Sequence, residues 1–360
     1  MKRDEIRLLW ADGSPEAIGR AHGATYPDDI QEYAAERTRL AAAGTDWERS
    51  ATLSLAERML PAHQAYDPQL YAEMLAMAEA AGITAAEAVI VGGYTDFIDT
   101  VRTVAGGTAV EDTCTAAVIG DIAAGGAGFL AQTWDMHASA TPHVLLLGLS
   151  PTTGPHALVF TTVGTLGQIG MNEAGIAVGI NNLTTNDGRL GVTWPFVVRR
   201  ALQQTTLEGA IHCVVEAPLA GGHNFLLFDR NGRGASIEAT PTATHVEWLD
   251  GDLLIHTNHC LVPLTKAVEG DRPAALQRSS TDRLDHARGL LDVRPVTVEV
   301  LMALTRDERS ICRRPDSEFN YETSGAVIMR PATGDFWACW GIPADNEYEL
   351  HRLAQREIVR

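Results

Sequence analysis

Residues 112–121, Asp112-Thr113-Cys114-Thr115-Ala116-Ala117-Val118-Ile119-Gly120-Asp121, and 128–136, Gly128-Phe129-Leu130-Ala131-Gln132-Thr133-Trp134-Asp135-Met136, are two short apolar runs set apart by small turn residues. That is the pattern of strands whose two faces are both covered. Ahead of them, Val104-Ala105-Gly106-Gly107-Thr108-Ala109-Val110 has no helical pattern and reads as an exposed linker. Cys114 therefore stands at the boundary between a different N-terminal region and a strand-rich body.

The first hundred residues read as helix. Ser14-Pro15-Glu16 is a helix start with proline in the first turn. Leu70, Met74, Met77 and Ala81 line one helical face that Gly82 ends, and Thr84 with Glu87 has capping-box spacing. This stripe reads as core packing. Beyond Cys114 the runs are short and broken by Gly, Asn, Asp and Pro. Asn172-Glu173-Ala174-Gly175 and Asp229-Arg230-Asn231-Gly232 are hairpin turns. Helices return over 194–217 and 273–308, before a last strand pair at 324–340. Strands separated by helical blocks predict a layered α+β domain.

Composition narrows the function. Twenty-eight Lys and Arg against 46 Asp and Glu leave a formal charge of −18, which argues against nucleic-acid and anionic-membrane partners. No apolar run approaches the ~18–20 residues of a membrane span, and the N-terminal segment lacks a signal-peptide pattern, so the expected compartment is the cytoplasm. Cys114, Cys213, Cys260, Cys312 and Cys339 are odd in number and never in a CxxC pair. Neither a disulfide framework nor a structural zinc site is expected. There is no GxxxxGK[ST] or GxSxG, and the glycines of 164–170 are in the wrong order for a dinucleotide. His256-Thr257-Asn258-His259 sits at a strand end with no second ligand cluster, so no metal is expected, and no cofactor.

A thiol at such a boundary becomes an N-terminus if the chain is cut before it. Its own α-amino group, titrating near ~8, then serves as base. The structural alternative for Cys114 is a small buried hydrophobe in a strand.

Cys114-Thr115, Gln132-Thr133-Trp134-Asp135, Gly170-Met171-Asn172-Glu173-Ala174-Gly175, Asn181-Asn182, His223-Asn224-Phe225-Leu226 with Asp229 and Glu238, His256-Thr257-Asn258-His259 and Ser279-Ser280-Thr281-Asp282-Arg283 follow one another along the chain. In that order they resemble the acyl-coenzyme A:6-aminopenicillanic acid acyltransferase family, cysteine-type N-terminal-nucleophile (Ntn) hydrolases related to choloylglycine hydrolases. The resemblance implies an α+β, four-layer αββα sandwich of two antiparallel sheets between helices, forming one compact domain. It implies a precursor that cuts itself between Thr113 and Cys114. Residues 1–113 would then stay as a small subunit on the 114–360 catalytic body.

By position, the resemblance assigns the nucleophile to Cys114 and the partner of the new amino group to Asp135. Asn258 falls at the oxyanion amide, Asn182 (or, in the other register, Asn181) near the substrate, and Arg283 near the nucleophile. Trp134 and Trp194 are candidates for an acyl pocket. Three positions depart from the family pattern: Thr133 and Thr113 stand where asparagine and glycine are frequent, and Gly92-Gly93-Tyr94-Thr95-Asp96 replaces an Asn-x-Arg-like segment.

Each assignment has a structural counterpart. Asp135 reads also as a strand-end turn residue, Asn258 as a loop residue satisfying backbone groups, Asn182 as turn chemistry and Arg283 as an ion-paired helix residue. The implied reaction is attack by sulfur on a small or non-peptide amide, with the tetrahedral oxyanion stabilised by ~3–4 kcal/mol from a preplaced amide donor and a thioester resolved by water. Transfer of the acyl group to an amine, from an acyl-CoA or penicillin-type donor, is the alternative, and an uncleaved binding module is another. The expected partners are the amide substrate and the leader fragment; the sequence leaves self-association open.

Overall fold

The computed structural model describes residues 5–106, 113–315, 320–353 and 357–359. Of the linker read at 104–110, positions 107–110 lie outside the described residues. The N-terminal region contains β1 (Leu8–Gly13), α1 (Pro15–Thr25), α2 (Pro27–Ala41), α3 (Arg49–Glu57), α4 (Leu60–Tyr66), α5 (Pro68–Ala81), α6 (Ala85–Gly92) and α7 (Tyr94–Ala105). Local signals set these helices. The Ser14 hydroxyl caps α1, Gly82 ends α5 in the left-handed region at φ 73°, and Thr84 with Glu87 closes both halves of a capping box on α6.

One expectation fails here: the leader is not all helix. β1 pairs in parallel with a strand of the body, Leu8 opposite Leu146 and Gly13 opposite Pro151. Six residues followed by a helix cap give little periodicity to read, and the partner lies far along the chain.

The body continues through β2 (Thr113–Ile119), α8 (Asp121–Ala124), β3 (Phe129–His137), a 3-10 turn (Ala138–His143), β4 (Val144–Pro151), β5 (Ala157–Thr162), β6 (Ile169–Asn172) and β7 (Ile176–Leu183). Then come α9 (Trp194–Ala201), α10 (Leu207–Val215), β8 (Gly222–Asp229), β9 (Gly234–Ala239), β10 (Thr244–Trp248) and β11 (Leu253–His256). α11 (Pro263–Lys266), α12 (Ala274–Leu290), α13 (Val298–Thr305), β12 (Tyr321–Arg330), β13 (Asp335–Trp340), β14 (Glu349–Arg352) and β15 (Glu357–Val359) complete it. The turns read at 172–175 and 229–232 join β6 to β7 and β8 to β9, with Gly175 at φ 85° and Gly232 at φ 75°.

Two sheets form, ordered β1-β4-β5-β6-β7-β8-β9-β10 and β11-β2-β3-β12-β13-β14-β15. Every named pair is antiparallel except β1–β4, a small correction to the expected all-antiparallel pair of sheets. β2 and β3 face β7 and β8 across the sandwich. α1, α9 and α10 cover the outer face of the first sheet, and α12 and α13 that of the second. The four layers are helix, sheet, sheet, helix.

Strand alternation decides which way the site residues point. Cys114, Ala116, Val118, Leu130 and Trp134 belong to the core between the sheets, with Phe160. Ala117, Ile119, Phe129 and Ala131 face the other way, onto Ala287, Leu291 and Leu301 of the helix layer. Thr113, Thr115, Thr133 and Asp135 share that helix-side parity. The two sheets are also tied by Gln132: its side chain donates to the Ile180 carbonyl at 2.5 Å and accepts the Ile180 N–H at 2.8 Å. Among the described residues, no single helix is long and apolar enough to cross a membrane.

Candidate active site

β2 starts at Thr113, so Thr113 and Cys114 are the first two residues of a central strand. In the β2–β3 register Thr113 lies opposite Asp135, and Cys114 opposite Trp134. Cys114 is fully buried. Both of its backbone groups are held by side chains. Its N–H donates to Asn258 Oδ1 at 2.7 Å, and its carbonyl accepts Arg283 Nη1 at 2.5 Å. Arg283 projects from α12 and also donates to Thr115 Oγ1 at 3.1 Å and, through Nη2, to Asn258 Oδ1 at 2.9 Å. One guanidinium thus fixes the first residues of the strand and the asparagine beside them, which is what its forked donors allow. Burial lowers the Arg283 pKa to about 10, with Asp135 opposing the shift; it remains a cation at neutral pH.

Asn258 follows β11 on a short loop, and almost every polar group it has is engaged. Its N–H donates to Ser280 Oγ at 2.8 Å, its carbonyl accepts from Arg272, and its Nδ2 donates to the Asn182 carbonyl at 3.1 Å. Ser280 and Arg283 lie three residues apart on α12, so one helix face grips Asn258 at its N–H and its side-chain oxygen. Neutral His259 completes the support, with Nδ1 2.8 Å from Ser280 Oγ; burial and neighbouring cations lower its pKa to about 4.

Asp135 faces the helix side and is also fully buried. Oδ2 accepts the Thr113 hydroxyl at 2.8 Å and Oδ1 accepts the Thr323 hydroxyl, from β12, at 2.7 Å. Burial raises the carboxyl pKa, while Arg283 and the two hydroxyls hold it down.

Asn182 and Asn181 diverge. The Asn181 side chain is spent on the His256 carbonyl and on Asn224, each at 3.4 Å. Asn182 Oδ1 is buried with no hydrogen-bond partner among the described residues. Trp134 packs edge-on against Phe160 with centroids 6.5 Å apart, and its Nε1 is likewise unpartnered among the described residues. Trp194 instead starts α9, with its N–H on Asp96 Oδ2 at 2.7 Å and its ring on His223.

Sequence reasoning named Cys114, Asp135, Asn258, Arg283 and Asn182; the fold brings the first four together, and Asn182 touches them through its backbone carbonyl, which accepts from Asn258 Nδ2. It gave no role to Thr323, Thr115 or Ser280. The i, i+3 spacing of Ser280 and Arg283 was a usable signal for the last; nothing in the sequence marks Thr323, 188 residues from Asp135. Glu238 and His256 form a buried pair at 2.9 Å behind the Asn258 loop, where Glu238 also accepts from Leu261 N and Thr265. Both ring nitrogens of His256 face acceptors, the second being the Thr257 carbonyl at 2.8 Å. Asp229 holds the β8–β9 turn through the N–H groups of Asn231 and Arg233.

The other four thiols are buried. Burial pushes Cys213 and Cys312 up to about 11, Cys339 to about 12 and Cys260 higher still, which makes them inert structural groups. Among the described residues, no three His, Cys, Asp or Glu side chains are grouped to hold a metal ion.

Comparisons with known proteins bear on this site. The 40 kDa form of acyl-coenzyme A:6-aminopenicillanic-acid-acyltransferase from Emericella nidulans is 24% identical over 307 residues, which are 84% of this chain and 83% of that protein. Among solved structures, a mutant of conjugated bile acid hydrolase from Clostridium perfringens matches 68% of this chain and 95% of its own at a TM-score of 0.45 and 11% identity. Penicillin V acylase from Agrobacterium tumefaciens matches 63% and 82% at a TM-score of 0.37 and 14% identity. The model of the family described as "Acyl-coenzyme A:6-aminopenicillanic acid acyl-transferase" matches residues 123–345, a span that starts past Cys114 and takes in Asp135, Asn182, Asn258 and Arg283. The chain belongs to that acyl-coenzyme A:6-aminopenicillanic acid acyl-transferase family.

Proposed function

We propose that the chain is a self-processing cysteine Ntn amidohydrolase that works in the cytoplasm on a small or non-peptide amide. The observation that carries this reading is the grip on Cys114: Asn258 holds its N–H, Arg283 its carbonyl, and Asp135 lies directly opposite the preceding residue. A cysteine that only filled core space would need none of these polar side chains brought in from β3, the β11–α11 loop and α12.

In processing, the Cys114 thiol adds to the Thr113 carbonyl, the C–N bond breaks as the C–S bond forms, and the thiol proton ends on the departing amine. Water then cleaves the thioester, leaving the Thr113 carboxylate and a free thiol. The new α-amino group of Cys114 keeps Asn258 Oδ1 as an acceptor and gains Asp135. It is then the base for turnover: it takes the thiol proton as sulfur attacks the substrate carbonyl and returns a proton to the leaving amine. Asn258 Nδ2 has one hydrogen beyond that given to Asn182, available to a developing oxyanion. The unpartnered Asn182 Oδ1 supports Asn182, rather than Asn181, as the substrate contact.

Residues 1–113 are woven into the body, which favours their retention as a second subunit after the cut. β1 extends the first sheet, Arg199 makes a two-pronged pair with Glu73 at 2.7 and 2.9 Å, and Asp96 accepts the first N–H of α9.

A denaturing gel of purified wild-type and Cys114→Ala protein tests the reading. Wild type should run as two fragments with amidase activity, and Cys114→Ala as one inactive chain; an intact, active wild-type chain refutes it. Acyl transfer is the second reading, favoured by the name of the Emericella nidulans relative. Adding 6-aminopenicillanic acid as acceptor separates the two, since only a transferase forms the acylated amine in place of the free acid.

A further inference from the structure

Asp135 is a buried carboxylate with each oxygen on a threonine hydroxyl, and the two threonines differ in fate. Thr323 stays on β12 beside it, whereas Thr113 is the residue on the acyl side of the proposed cut. Before cleavage the carboxylate needs two donors, because a buried acceptor without one is costly. After cleavage a new donor, the Cys114 amino group, appears one residue along the same strand.

We propose that the Thr113 hydroxyl is a placeholder: it occupies Asp135 Oδ2 in the precursor, fixes the acyl half of the scissile bond against β3, and yields Oδ2 to the Cys114 amino group once the bond is cut. The inference rests on the self-processing reading and adds a positioning residue to it. Three features of the structure support it. Thr113 and Asp135 are directly opposed in the β2–β3 register, so the contact follows from strand pairing. Thr113 is itself buried, so removing its hydroxyl would leave a buried carboxylate oxygen short of a donor. The nitrogen of the scissile amide is held independently by Asn258 at 2.7 Å. The two halves of the bond therefore have separate anchors, Asp135 on the acyl side and Asn258 and Arg283 on the cysteine side. Glycine at position 113 would supply no such hydroxyl; threonine does.

The arrangement predicts how variants at position 113 process. Thr113→Ser keeps the hydroxyl and should cleave within about threefold of wild type. Thr113→Val keeps the shape and removes the donor, and Thr113→Ala removes donor and volume; both should cleave at least tenfold more slowly. Freshly translated or refolded precursor, followed by denaturing gel over time, reads these rates directly. If the valine variant misfolds, the serine and alanine variants, which differ by one oxygen, decide the matter. Equal rates for Thr113→Ser and Thr113→Ala would overturn the placeholder while leaving self-processing intact. A wild-type chain that never cleaves would overturn the self-processing reading itself, and the placeholder with it.

Discussion

Asn258 turns its side-chain oxygen toward Cys114, accepting the cysteine N–H at 2.7 Å, while its nitrogen reaches the Asn182 carbonyl at 3.1 Å. Arg283, on the same Oδ1 at 2.9 Å, fixes this orientation, because a guanidinium can only donate. One asparagine therefore serves the cysteine nitrogen with its oxygen and the Asn182 carbonyl with its nitrogen.

Asn258→Ala should lose both services. Turnover of already processed enzyme should fall by on the order of 10²–10³ in kcat with a smaller change in KM, and precursor cleavage should slow as well. Steady-state kinetics on isolated two-chain enzyme give the first number. Activity within about twofold of wild type would remove Asn258 from the chemistry.

Replacing Arg283 by lysine keeps a charge but cannot reach the Cys114 carbonyl, Thr115 Oγ1 and Asn258 Oδ1 together. Arg283→Lys should therefore process at least tenfold more slowly than wild type, as read by a gel time course on fresh precursor. Wild-type processing by the lysine variant would show that charge alone suffices.

In an N-terminal-nucleophile mechanism the base is the cysteine's own amine, so no histidine is required in the reaction. His256 nevertheless sits in a buried pair with Glu238, so its replacement is not silent. His256→Gln should lower the melting temperature and leave kcat within a few fold. Asp135→Asn should cut turnover by about 10² or more, because it removes the negative charge beside the new amine, and should slow processing by weakening the hold on the Thr113 hydroxyl. The reverse ranking, measured by kinetics and thermal melting on the same two variants, would point to a conventional Cys–His enzyme.

How much of this was legible in the sequence follows the range of the forces involved. Ser14, Gly82, the Thr84–Glu87 pair and the glycines at 175 and 232 act within a turn or two, and their elements came out as read. β1 did not, because what makes Leu8–Gly13 a strand is β4, more than a hundred residues away. The site divides the same way. Motif order named Cys114, Asp135, Asn182, Asn258 and Arg283, yet it could not say that Asp135 faces the helices while Cys114 faces the other sheet. Nor could it say that Thr323 completes the carboxylate or that Ser280 holds the Asn258 backbone. Those facts depend on strand register and on α12 lying across β2.

Acid should loosen the leader from the body. His22 and His63, both in the leader, are buried and lowered to about 4, chiefly by burial and, for His22, also by Arg199. Each accepts a backbone N–H from the body on Nε2: Gly164 for His22 and Thr193 for His63, both at 3.2 Å. With folded values below the unfolded ~6.5, the unfolded chain binds more protons between those pH values. Stability therefore falls as pH drops from about 6.5 through 4, by up to about 3 kcal/mol per histidine. Urea midpoints across pH 4–7 read the sum of all such groups, and His22→Gln, which keeps an acceptor but cannot titrate, should make the loss of stability toward pH 4 smaller than in wild type. A pH dependence of the midpoint identical in wild type and His22→Gln would contradict the assignment.

The central claim is that Cys114 becomes an N-terminus by its own chemistry. N-terminal sequencing of the large fragment from purified wild-type protein tests it most directly. The account predicts a sequence beginning Cys114-Thr115-Ala116-Ala117-Val118, with the 1–113 fragment co-purifying and no such fragment from Cys114→Ala. A large fragment that begins anywhere else, or one beginning at position 114 that also forms from Cys114→Ala, would contradict it.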